Sequence, residues 1–162
     1  MRRRRLLAAA VAPLAVAACG FELRRTPAMA FKSIALVGFE PRSPLGDLLR
    51  RALEPSVRIV EAPARAEVVL EAMDDQRDRV VVASTAAAQV RELQLRVRLR
   101  FRLSTPAGRS LIAPSELLQT RDMSYTETAA LAKEQEEQQL YRSMEGDIVA
   151  QVLRRLAAVT EI

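Results

Sequence analysis

This chain of 162 residues contains no histidine and no tryptophan, and it has a single cysteine, Cys19. Without histidine, Ser-His-Asp and Cys-His nucleophilic catalysis, imidazole general bases and histidine-containing zinc sites are excluded. One cysteine cannot form an internal disulfide. Aromatics make up only 4% of the chain, so a core must be built from Leu, Val, Ile and Ala. Only 5 glycines occur, in neither a P-loop nor a Gly-x-Gly-x-x-Gly arrangement, which removes the common phosphate-cradling loops. A carboxylate-based hydrolase would need two acids held at a set separation in a cleft, and no spacing here suggests one. The chain reads as a non-enzyme with no cofactor.

The beginning of the chain differs in kind from the rest. Arg2, Arg3, Arg4 and Arg5 precede an apolar run over residues 6–18, about 13 long, then Val16-Ala17-Ala18-Cys19-Gly20. A spanning helix needs about 20 apolar residues, so the run is too short to cross a bilayer. A basic start, a short apolar run and small residues ahead of a cut are the parts of a secretory signal. The branched residue, two small residues and cysteine resemble a bacterial lipoprotein signal. That resemblance implies removal of residues 1–18, acylation of Cys19 (palmitate included) and an anchor in the outer membrane, with Gly20 after the cysteine resembling outer-membrane sorting. The acyl groups would be the only covalent additions.

The cut also changes the charge argument. The chain carries 25 Lys+Arg and 20 Asp+Glu; four of the arginines and none of the acids precede Cys19, leaving 21 against 20, a net of +1. The whole-chain pI near 10.3 therefore belongs largely to the signal, and a nucleic-acid partner is not expected.

Residues 19–30 read as a lipid-anchored tether and residues 31–162 as one domain, long enough for a real core. Residues 31–39 are short, β-favouring and apolar on both faces. Ser43 and Pro44 start a helix, as cap and first helical residue. Leu45, Leu48, Leu49, Ala52 and Leu53 make its apolar stripe, and Pro55 stops it. Residues 57–60 are a short extended piece. Over residues 66–83, Ala66, Val68, Leu70 and Ala72 alternate with Glu67 and Glu71. The polar interruption at 74–78 lacks the turn residues of a tight hairpin, which favours one bent strand with a bulge over a hairpin. The acids within it read as solvated.

A loop at 84–89 leads to the most regular signal in the chain, over residues 91–103. Leu93, Leu95, Val97, Leu99, Phe101 and Leu103 alternate with Glu92, Gln94, Arg96, Arg98, Arg100 and Arg102, which predicts a long strand with one buried and one wet face. Thr105-Pro106-Ala107-Gly108 is a turn. Residues 110–122 return as its partner, at an edge or bulged because Pro114 cannot donate to a ladder. Ser124-Tyr125-Thr126-Glu127 has the capping-box form, predicting a helix from there to about residue 158. Leu140, Met144, Ile148, Val152 and Leu156 form its stripe. Its N-terminal half is polar and is expected to project past the sheet or meet a partner. The predicted fold is α+β: one four-stranded, mainly antiparallel sheet with two helices packed on one face.

Four stretches of this chain, in order, resemble the LptE family of lipopolysaccharide-assembly lipoproteins. They are Cys19-Gly20-Phe21-Glu22-Leu23-Arg24, Arg91-Glu92-Leu93-Gln94-Leu95, Arg121-Asp122-Met123-Ser124-Tyr125 with Leu131-Ala132-Lys133-Glu134, and Leu153-Arg154-Arg155-Leu156. The family often has an aromatic where Leu93 and Met123 stand. The resemblance implies a 1:1 complex with an LptD-type outer-membrane β-barrel, whose lumen the lipoprotein plugs and whose assembly it assists. It also implies binding of lipopolysaccharide (LPS) on its way to the outer leaflet, with Lys133 as a contact. The wet arginine row, Arg96, Arg98, Arg100 and Arg102, is the second candidate for that ligand, because guanidinium forks suit phosphate. Solvated side chains, or contact with the barrel, are the other uses of the same row. The alternative identity is another outer-membrane lipoprotein, an envelope-assembly or pilotin-type factor.

Overall fold

The structure, a computed structural model, describes residues 28–84 and 90–162; the signal sequence, Cys19 and most of the tether and of the 84–89 loop lie outside them. Strand β1 (Ser33–Val37) leads to helix α1 (Pro44–Leu53) and a two-residue strand β2 (Arg58–Ile59). A 3-10 turn follows at Pro63–Arg65. Three long strands come next, β3 (Val68–Ser84), β4 (Val90–Ser104) and β5 (Ser110–Ser124), and then helix α2 (Ala130–Ala157). The sheet order is β2-β1-β3-β4-β5. β1 is parallel to both β2 and β3, while β3, β4 and β5 are antiparallel.

The sheet has five strands rather than the expected four. The extra one is the piece at 57–60, too short to show a period. It becomes a strand only because Arg58 and Ile59 pair with Ser33 and Ile34 of β1.

The other strand expectations hold. β3 is one continuous strand, with register shifts at Ala72/Asp74 and near its far end. β5 is an edge strand, and its register slips between the Phe101 and Leu103 partners, which brackets Pro114. A residue without an N–H is tolerated there.

α1 begins as its sequence dictates. Ser43 Oγ accepts from the Gly46 N–H at 2.9 Å, and Leu45, Leu49 and Leu53 are buried. α2 does not. Ser124 is no cap: it is the last residue of β5, paired with Glu92, and the next N–H, of Tyr125, donates to the Arg91 carbonyl at 2.8 Å. Sheet pairing takes the backbone that the capping box needs. The chain reaches α2 through a 3-10 turn, Glu127–Ala129, and Ala129 caps it without a side-chain bond. With 28 residues, α2 is about 42 Å long.

Val68, Leu70 and Ala72 of β3, the six apolar residues Leu93 to Leu103 of β4, and Met144, Ile148, Val152 and Leu156 of α2 form one core with the α1 leucines. Both helices therefore cover one face, and the polar side of β4 is left open. The N-terminal half of α2 does not project free of the sheet, because Lys133 and Glu137 both reach back to it.

Candidate functional site

Strict alternation in β4 fixes the arginine row. Leu95, Val97, Leu99 and Phe101 are buried under the helices, so Arg96, Arg98, Arg100 and Arg102 must stand on the open face. Residues two apart on a strand repeat every 6.6–6.8 Å or so, close enough for neighbouring guanidiniums to share a multivalent anion.

The row is not a bare strip of positive charge. By register, β3 sets Asp78 opposite Arg96, Asp74 opposite Arg100 and Glu71 opposite Arg102. On the other side, β5 sets Glu116 opposite Arg100 and Asp122 opposite Gln94. Four guanidiniums thus stand between three carboxylates on β3 and two on β5.

Arg102 donates through Nε and Nη2 to Glu71 Oε2 at 2.8 and 2.6 Å. Arg98 bonds Gln76, and its Nε lies 2.9 Å from Asp74 Oδ2, an ion pair too far off line to be a hydrogen bond. Arg96 Nε donates to Gln94 Oε1 at 2.8 Å, and Gln94 passes the bond on to Asp122 at 2.9 Å. Arg100 has no ion pair among the described residues. Exposed pairs of this kind contribute about 0–1 kcal/mol each, so a ligand can displace them. Arg96 and Arg100 need the least rearrangement.

Lys133 lies elsewhere. It sits in the first turn of α2, beside the last residue of β5, with its Nζ 2.8 Å from Glu136 Oε2 and 3.1 Å from Ser124 Oγ. The bonds of Lys133 are to Ser124 and Glu136, and those of the arginine row are to Glu71, Asp74, Gln76 and Gln94. Cys19 lies outside the described residues.

A second polar group escaped the sequence reading. The run at 74–78 is not wholly solvated: Asp75, Arg77 and, just beyond it, Arg79 face the helix side of the sheet, Asp75 half-buried and the two arginines partly exposed. Asp75 Oδ2 accepts from Ser43 Oγ at 2.5 Å. The Arg77 guanidinium lies 3.6 Å from the centre of the Tyr141 ring and 3.7 Å from Glu145 Oε1. Arg79 pairs with Glu137 at 3.2 Å, and the Tyr141 hydroxyl donates to the Asp78 carbonyl at 2.8 Å. Burial, opposed by the Ser43 bond and reinforced by Glu40 and Asp74, holds the Asp75 carboxyl above its ordinary value of 3.8. Burial likewise raises Glu145 above 4.5 against the pull of Arg77.

The signal for this seam was present. Residues two apart on a strand advance about 6.7 Å and residues four apart on a helix about 6 Å. Asp75, Arg77 and Arg79 therefore match Glu145, Tyr141 and Glu137 in spacing.

Among the described residues, no group of three or more carboxylates or other ligating side chains could hold a metal ion. No helix there is long and apolar enough to cross a membrane.

The comparisons with known proteins agree with this architecture. The model of the family described as "LptE: Lipopolysaccharide-assembly" matches residues 31–156. No curated protein matches. The solution structure of an uncharacterized lipoprotein B from Nitrosomonas europaea superposes with a TM-score of 0.72 at 26% identity, covering 87% of this chain and 92% of that one. The crystal structure of the rare lipoprotein B from Shewanella oneidensis gives 0.64 at 23% identity, covering 78% and 95%. That of a minor lipoprotein from Acinetobacter baumannii gives 0.64 at 20%, covering 79% and 92%. The latter two speak for the fold alone. With the family model spanning the sheet and both helices, this chain belongs to the LptE family of lipopolysaccharide-assembly lipoproteins.

Proposed function

We propose that the chain is anchored in the outer membrane through acyl groups on Cys19, fills the lumen of an LptD-type β-barrel as a 1:1 partner, and binds LPS on its way to the outer leaflet. Its role is that of a plug and assembly factor, without catalysis.

The observation that carries this reading is the open sheet face. One side of the sheet is closed by helices; the other is a wet wall of Arg96, Arg98, Arg100 and Arg102 between two rows of acids. Barrel interiors of the outer-membrane type are polar, and a surface of both signs suits one. Lys133 and the four arginines are the proposed LPS contacts, with Arg96 and Arg100 the most available.

The flanking carboxylates favour a second use of the row. Glu71, Asp74, Asp78, Glu116 and Asp122 repel a polyanion but complement a lumen wall of mixed charge. Replacing Arg96, Arg98 and Arg100 together with Gln separates the two. The expected result is roughly tenfold weaker LPS binding, the order of ~1.4 kcal/mol of exposed charge interaction. A shallower salt dependence and an unchanged circular dichroism spectrum should accompany it. If LPS binding stays at the wild-type level while the barrel no longer co-purifies, the row belongs to the protein interface.

A further inference from the structure

The sheet has two unlike ends. By register, Ile34 of β1 lies beside Val68, and Val69 lies beside Ser104. The start of β1, the β4–β5 turn and the C-terminus of α2 therefore share one end, and the tether emerges from it. Cys19 and residue 28 are nine positions apart, so the intervening chain spans at most about 32 Å. An acyl group on Cys19 would hold this end close to the bilayer.

Two exposed turns meet at this end. Pro63 and Ala64 of the 3-10 turn and Pro106 and Ala107 of the β4–β5 turn line one shallow cavity of about 640 Å³. Each turn also carries an exposed arginine, Arg65 and Arg109, and neither forms an ion pair among the described residues. Lys32 and Arg58, exposed where β1 and β2 begin, add two more cations. Glu61, Glu67 and Glu161 are the exposed acids near these cations. At the other end, α2 begins with exposed Glu134 and Glu136 beside Lys133.

We propose that the tether end of the domain is a bilayer-contact surface: Pro63, Ala64, Pro106 and Ala107 touch the headgroup–acyl boundary while Arg65 and Arg109 bind lipid phosphates. This rests on the acylation of Cys19 proposed above. Small apolar turn tips flanked by unpaired cations match an interface that is apolar below and anionic above.

The chain has no tryptophan, so one introduced indole reports without background. The test uses the lipidated mature protein in vesicles of phosphatidylethanolamine and phosphatidylglycerol with brominated acyl chains. Ala107→Trp and, as a second reporter, Ala64→Trp are compared with Leu131→Trp, which is 72% exposed at the far end. Both near-end indoles should shift to the blue and be quenched roughly twofold or more beyond the Leu131→Trp indole. Adding Arg65→Gln and Arg109→Gln, or raising salt, should reduce the difference. Equal quenching at both ends overturns the proposal, as does a near-end indole shielded from aqueous acrylamide yet untouched by bromine, which would mean a protein covers it. Flotation separates the two ideas. A protein that floats without near-end quenching refutes the contact surface alone; one that does not float refutes the anchor and the surface with it.

Discussion

Tyr141 is held on two sides, by the Arg77 guanidinium over its ring and by its hydroxyl bond to the Asp78 carbonyl. It is 2% exposed, so water cannot replace that bond. Tyr141→Phe is expected to cost about 1–2 kcal/mol, read as a lower urea midpoint with an unchanged slope. Glu145, beside it, gives a different readout. Its carboxyl, like that of Asp75, is protonated more readily folded than unfolded, chiefly through burial. The folded state therefore takes up protons that the unfolded chain does not. This contribution to stability is complete below the unfolded values near 3.8 and 4.5 and is lost as pH rises through the higher folded values. Glu145→Gln removes one such group. The melting temperature of the variant minus that of the wild type should rise between pH 4 and pH 8. A difference independent of pH would mean that Glu145 is not titrating against burial.

Two glycines predict opposite outcomes within the elements. Gly38 leaves β1 at φ +79°, and a Cβ there would run into the Ala72 carbonyl oxygen at the start of the β3 bulge. Gly38→Ala should destabilise by about 2 kcal/mol or more, from left-handed backbone and a clash with main chain that cannot swing away. Gly146 lies inside α2 with nothing near its missing Cβ, so Gly146→Ala should stabilise by up to about 1 kcal/mol. Denaturant titration of both checks the pair.

The elements also explain what was legible beforehand. β4 could be read because its pattern is local: six apolar and six polar residues alternate without a break. α1 could be read because Ser43, Pro44 and the leucines all lie within one segment. β2 could not, since its pairing with Ser33 and Ile34 is a tertiary fact. Ser124 misled for the same reason, its backbone being claimed by Glu92 and Arg91 across the sheet. The row of arginines was visible, but its flanking acids come from strands whose register the sequence does not print. Asp75 read as solvated because its partner Ser43 and the helices on its side of the sheet lie far off in the chain.

For the molecule as a whole, the one-sided sheet, the charged open face and the family membership are what the proposed plug role rests on. The direct measurement is native mass spectrometry of the tagged protein purified from detergent-solubilised outer membrane of its own cell. A 1:1 complex with a single large β-barrel protein, carrying a lipoprotein whose mass is that of the chain from Cys19 plus acyl groups, is the expected result. A lone lipoprotein, or one bound to a partner that is not a barrel, would contradict the plug.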